Sequence, residues 1–179
     1  MSETNPGDTG VLETLFHQNT WANLKLLAFC EGLSADQLDV TTVGTYGSIR
    51  DTLLHVVRAE AGYVSRVNGK QPAAPPPRDH FPGFSVLADA VRWAGDELLA
   101  LALAARPDTL VEQHSPWLHT RYPLAGLMTQ AINHSTEHRA QVSAIITALG
   151  LEPPDMSGWA YMDAMGTLEE LPASPEPGG

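Results

Sequence analysis

Two histidines stand where a packed helix would carry leucine. Leu127, Ala131, His134, His138, Val142, Ile145 and Leu149 recur at threes and fours, the spacing of one interior helix face. At positions i and i+4, His134 and His138 project side by side and can reach one common atom. Two buried imidazoles are hard to satisfy by hydrogen bonds alone, since each ring has two nitrogens to place. A divalent metal resolves this by taking one nitrogen from each ring, and the second nitrogen then needs an acceptor behind it. The best third ligand is His55, at the edge of the apolar stripe in Leu53-Leu-His-Val-Val57. A three-histidine site with one open position polarises a bound water and lowers its pKa towards ~7.

Other residues could act beside this triad. Glu60 falls on the same apolar stripe as Ile49, Leu53 and Val67. It either hydrogen-bonds a neighbouring helix or serves near the metal as an acceptor or catalytic base. Gln130 and Gln141 lie on faces flanking the two histidines. His134-Ser-Thr-Glu-His138 also fits H-x-x-E-H, the inverted zinc-peptidase string, with Glu137 as base. That reading lacks support: Glu137 is off the histidine seam, and only 41 residues follow His138 to supply a distal acidic ligand. His17 has polar surroundings, and His80, His114 and His119 fall in expected loops. The single Cys30 excludes an intramolecular disulfide and a cysteine-cluster zinc site, and its apolar setting suits core packing. Trp21, Trp93, Trp117 and Trp159 read as core or interface anchors. No glycine-rich phosphate-binding loop is found.

Four long helices must position these groups. The first spans roughly Thr9 to Cys30, with Val11, Leu15, Leu24, Leu27 and Ala28 as its stripe, followed by a short turn capped by Ser34. The second starts at Ser48, where Ser48 and Asp51 form a capping-box pair, and stops at Asn68-Gly69. A proline-rich crossover, Gln71 to Gly83, forbids continued helix. The third helix starts after Phe84, capped by Ser85, and ends near Ala105. Leu118 to Tyr122 reads as a small hairpin arm or a loop. The fourth helix runs from Leu124 to Leu149, with Pro123 suited to its first turn and Gly150 to its C-terminal cap. From Leu151 the chain reads as irregular. The simplest architecture is an all-α four-helix bundle with a long crossover loop between helices 2 and 3. It forms one domain over 1–168, with a flexible acidic Pro/Gly-rich tail over 169–179.

The chain has 179 residues, enough for one domain, and 43% are hydrophobic. It carries 10 basic and 21 acidic residues, a net charge of −11, with six of the acids after residue 150. An acidic chain without a basic block repels phosphate and anionic lipid, which disfavours nucleic-acid and membrane partners. No apolar run nears the ~20 residues of a membrane span, and Met1 to Gly10 is too polar for a signal peptide. The expected location is the cytoplasm.

Three segments carry a resemblance. His17-Gln-Asn-Thr-Trp-Ala-Asn-Leu24, Ser48 to Glu60 and Asn133-His-Ser-Thr-Glu-His-Arg-Ala-Gln141, with Leu149-Gly-Leu-Glu-Pro-Pro154 and Gly158-Trp-Ala-Tyr161, together resemble the DinB-like, damage-inducible family. The resemblance covers roughly residues 10–165. It implies a four-helix bundle holding a divalent metal on three histidines, here His55, His134 and His138, and often a homodimer. It also implies kinship with metal-dependent transferases and isomerases that use low-molecular-weight thiols. The function expected is therefore a metal-dependent enzyme, a thiol-dependent S-transferase or hydrolase acting on a small electrophile. Its metal is zinc, nickel or iron, a low-molecular-weight thiol is the cosubstrate, and Glu60 is the candidate catalytic residue. Arg58 or Arg139 would draw in an anionic thiol. The alternative is a non-catalytic stress protein whose divalent metal is structural.

Overall fold

The computed structural model describes residues 10–115 and 117–169. Its helices are α1 (Val11–Glu31), α2 (Ala35–Leu38), α3 (Ile49–Asn68), α4 (Phe84–Ala104), α5 (Leu124–Ala148) and α6 (Gly158–Ala164). Two antiparallel strands, β1 (Leu110–Ser115) and β2 (Leu118–Pro123), form a hairpin between α4 and α5. The four long helices pack against one another: α1 on α4 and α5, and α3 on α4 and α5. No helix among the described residues is long and apolar enough to cross a membrane.

Local chemistry explains most of the boundaries. Ser48 Oγ accepts from the Asp51 amide, and an Asp51 carboxylate oxygen accepts from the Ser48 amide at 3.1 Å, so α3 starts on a closed capping box. Gly69 ends α3 with φ +72°, a left-handed conformation that glycine adopts without penalty. Gly95 lets α1 and α4 approach closely, because a side chain there would run into Thr20.

Several expectations need correction. The first helix was expected to bury Val11, Leu15 and Ala28, but all three are exposed. The buried face is instead Phe16, Asn19, Ala22, Asn23, Leu26, Leu27 and Cys30. Two asparagines hold interior positions, which a purely apolar template rejects. Ser85 does not cap α4: the helix begins one residue earlier, after Gly83, without a side-chain cap. The segment after Leu151 is not wholly irregular, since Ser157 caps α6 and Tyr161 packs edge-on to Trp21 at 5.5 Å. Trp117 and Trp159 are exposed at 93% and 69%, so neither is a core anchor. The expected start of the first helix at Thr9, and the tail beyond residue 169, lie outside the described residues.

The interior has two apolar clusters. One gathers Leu26, Leu27, Ile49, Leu53, Val57, Val142 and Ile145. The other gathers Phe16, Tyr63, Val64, Leu124, Leu127 and Ala131. On α1, α3 and α5 alike, the residues between the two clusters are polar and buried: Asn19 and Asn23, Glu60, Ser135 and Arg139. One oxygen of Glu60 accepts from Asn19 Nδ2 at 2.8 Å, Asn23 Nδ2 at 2.9 Å and Ser135 Oγ at 2.6 Å. Arg139 Nη1 donates to both asparagine carbonyl oxygens at 2.7 Å. The two amides thus relay a buried carboxylate to a buried guanidinium, with donors facing the anion and acceptors facing the cation.

Breaking such a relay at one end leaves the other charge uncompensated. Glu60→Ala should therefore lower the unfolding free energy by about 3–5 kcal/mol in urea titration, a large share of the ~5–15 kcal/mol typical of a domain. A loss below about 1 kcal/mol would contradict the assigned role.

Candidate metal centre

Each histidine of the centre is placed by a helix that the buried relay holds in register. His55 lies five residues before Glu60 on α3, and on α5 His134 and His138 directly precede Ser135 and Arg139. The same α3–α5 contact that carries the relay therefore brings His55 up to the other two. His55 Nε2 and His134 Nε2 are 3.0 Å apart. Ligand nitrogens from all three rings lie within 4.8 Å of one another. Two nitrogens sharing a tetrahedral ion at ~2.0–2.1 Å sit roughly 3.3 Å from each other, close to the observed His55–His134 spacing.

Protonation suits a metal. His138 Nδ1 is 2.9 Å from Gln141 Oε1. That same oxygen accepts the Tyr46 backbone N–H at 3.0 Å, which identifies it as the carbonyl end of the amide. His138 then donates from Nδ1 to this oxygen, and Nε2 is the ring nitrogen left for a metal. His134 is held down to a pKa of about 4, first by burial and then by the charges of His138 and His55. Burial lowers His55 too, followed by His138 and the Arg58 guanidinium. Both rings are thus neutral at pH 7, as metal ligation requires. His134 Nδ1 is buried without a hydrogen-bond partner. The acceptor expected behind each ring is therefore found for His138 and not for His134.

Tyr46, on the segment between α2 and α3, covers the centre. Its ring stacks on His55 at 4.0 Å and meets His138 edge-on at 5.4 Å. Sequence reading passed over this residue, because nothing in Thr45-Tyr-Gly47 marks a ligand shell. Asn19 and Asn23 were missed as well, although their four-residue spacing, inside a segment already singled out, was a usable signal.

The remaining candidates lie elsewhere. Glu60 bonds Asn19, Asn23 and Ser135, and no hydrogen bond among the described residues joins it to the three imidazoles. Burial raises its pKa against the lowering effect of Ser135, Asn19, Arg139 and Asn23. Gln141 does stand behind the His138 ring, whereas Gln130 and Glu137 are exposed. His17 is exposed, and His80 pairs with Asp79 at 2.9 Å. His114 and His119 face each other across the hairpin, with ring centroids 3.8 Å apart and Glu112 nearby, as a second and fully exposed group. Cys30 is buried, and its thiol is pushed up to about 12, so it is inert packing. Arg139 is committed to the relay and cannot steer a substrate. The internal cavity that His138 and Arg139 line with Leu26, Leu53 and Val142 holds only about 10 Å³.

Comparison with known proteins identifies a family. A model of the DinB family matches residues 1–172, and the chain belongs to that family. No curated protein matches it.

Depressed imidazole pKa values link folding to pH. In the unfolded chain His134 takes up a proton near its ordinary value of 6.5, but in the folded chain only near 4. The unfolded state then binds more protons over that interval, so stability falls as pH drops from about 6.5 to about 4. Thermal melting of chelator-treated protein should show this decline, and His134→Gln should flatten it. An identical decline in both proteins would contradict the assignment.

Proposed function

We propose that this protein is a four-helix bundle with a crossover at residues 69–83 that binds one divalent metal through His55, His134 and His138, and that it is an enzyme acting at that metal. The observation carrying this reading is the convergence of three imidazoles from two helices, with the Nδ1 of His138 hydrogen-bonded to Gln141 Oε1. Three protein ligands, with no carboxylate grouped with them among the described residues, match the pattern of sites that keep a position open for chemistry. A divalent ion there would lower the pKa of a bound water or thiol towards neutrality.

The protein's own residues supply the rest. Gln141 orients His138, while Ser135 and Arg139 fix the helix that carries both α5 ligands. Glu60, which the sequence offered as a catalytic base, serves in this reading as a positioning residue. Tyr46 lies over His55 and His138, so a substrate approaching from that side would displace it. The reaction we favour, as the resemblance implies, is transfer or hydrolysis at a small electrophile, with a low-molecular-weight thiol as cosubstrate and zinc, nickel or iron as the ion. The covered centre also favours a second reading, a non-catalytic protein whose metal clamps α3 to α5. We further propose a homodimer built on an apolar groove of about 600 Å³ that includes the exposed Leu12 and Leu15.

Untagged protein should contain about one equivalent of metal by elemental analysis. His55→Ala, His134→Ala and His138→Ala should each lose it while keeping most helical circular dichroism, and His80→Ala should retain it. Retention of stoichiometric metal by His134→Ala would overturn the site. A cobalt-loaded sample separates the two readings: a spectral change on adding a small thiol marks an open position, and an unresponsive spectrum marks the clamp.

A further inference from the structure

We infer that the surface of α3 beside the metal centre is a recognition site for a small polyanion, a molecule bearing two or more carboxylate or phosphate charges. Of the ten Lys and Arg residues, Arg50, Lys70, Arg92 and Arg121 are ion-paired and Arg139 is locked in the relay. Three of the other five, Arg58, Arg66 and Arg78, line a single groove of about 350 Å³. Among the described residues none of the three has a carboxylate partner, and no acidic side chain lines the groove. In a chain of net charge −11 this is a concentration of uncompensated positive charge. The nearest acid in sequence to Arg78, Asp79, is hydrogen-bonded to His80.

The groove is built for a ligand and is not a chance cluster. Arg58, Gly62, Ser65 and Arg66 follow His55 at helical spacing, so they continue the edge of α3 that carries the metal ligand. Gly62 forms an open floor, where an added side chain would meet nothing within 4 Å. The opposite wall is the proline-rich segment, with Pro72 and Pro76 buried and Arg78 at its end. Arg66 lies over the Tyr63 ring at 5.3 Å, which limits its freedom before any ligand arrives. Guanidinium forks match carboxylate and phosphate oxygens in pairs. A volume at the small end of ligand pockets suits a metabolite-sized anion, and the overall negative charge repels nucleic acid.

The inference deepens the proposed function, resting on that reading only for where the reacting end lies. At 1.5 Å per residue, Arg58 to Arg66 lies roughly 5–16 Å along the helix from His55. The anionic end would sit there while the reacting end reaches the metal past Tyr46.

Calorimetric titration with inorganic pyrophosphate and with tricarballylate tests the groove, on the metal-loaded protein and on metal-free His134→Ala. At least one probe should bind both proteins, and the tighter one distinguishes a phosphate from a carboxylate ligand. The double variant Arg66→Ala/Arg78→Ala alters exposed side chains and should fold normally by circular dichroism. It should bind at least tenfold more weakly, whereas Arg106→Ala should not change binding. No binding of either probe at millimolar concentration, or undiminished binding by the double variant, overturns the inference. Metal content measured on the same samples separates the two ideas, since metal can be lost with anion binding intact and the reverse.

Discussion

A single carboxylate oxygen, buried between two apolar clusters, holds three helices in register. Glu60 sits on α3, its amide partners Asn19 and Asn23 on α1, and Ser135 and Arg139 on α5. A buried charge of this kind tolerates little sliding, because a shift of one helical turn would strand donors and acceptors away from water. Hydrophobic packing alone would accept several neighbouring registers of α5 on α3. The relay selects one, and that one carries His134 and His138 to His55. A polar layer inside the core thus specifies the site that its neighbours in sequence form.

The centre then follows from electrostatics. Imidazoles this close would repel one another if protonated, and partial burial already disfavours the charged form of His55 and His134. The nitrogens of His55 and His134 stand at nearly the spacing of two ligands on one ion, and a nitrogen of His138 lies within 4.8 Å of both. The Gln141 carbonyl commits His138 to the useful tautomer, and it is itself oriented by a backbone donor from the Tyr46 segment. Tyr46 is therefore coupled to the centre twice, through this amide and through its ring on His55.

Much of this is legible in the sequence. The His134–His138 pair stood out because helical periodicity leaves few positions where a polar residue must be interior. His55 and Glu60 stood out for the same reason on α3. Asn19 and Asn23 did not, because their burial is compensated by charges more than 35 residues away in sequence, on other helices. Helix α6 was missed because seven residues are too few to show a period. The hairpin stayed undecided for a related reason: the half-buried positions between its exposed residues include polar Gln113 and Thr120, so β1 and β2 lack a full alternation of apolar and polar residues. Tyr46 depends on a loop conformation that no local pattern encodes.

X-ray absorption spectroscopy of the untagged, metal-loaded protein tests the central claim most directly. The three-imidazole centre requires one ion with three histidine nitrogens at ~2.0–2.1 Å if the ion is zinc. An ion bound by no more than one imidazole, or one coordinated by sulfur or only by carboxylate oxygen, would contradict it.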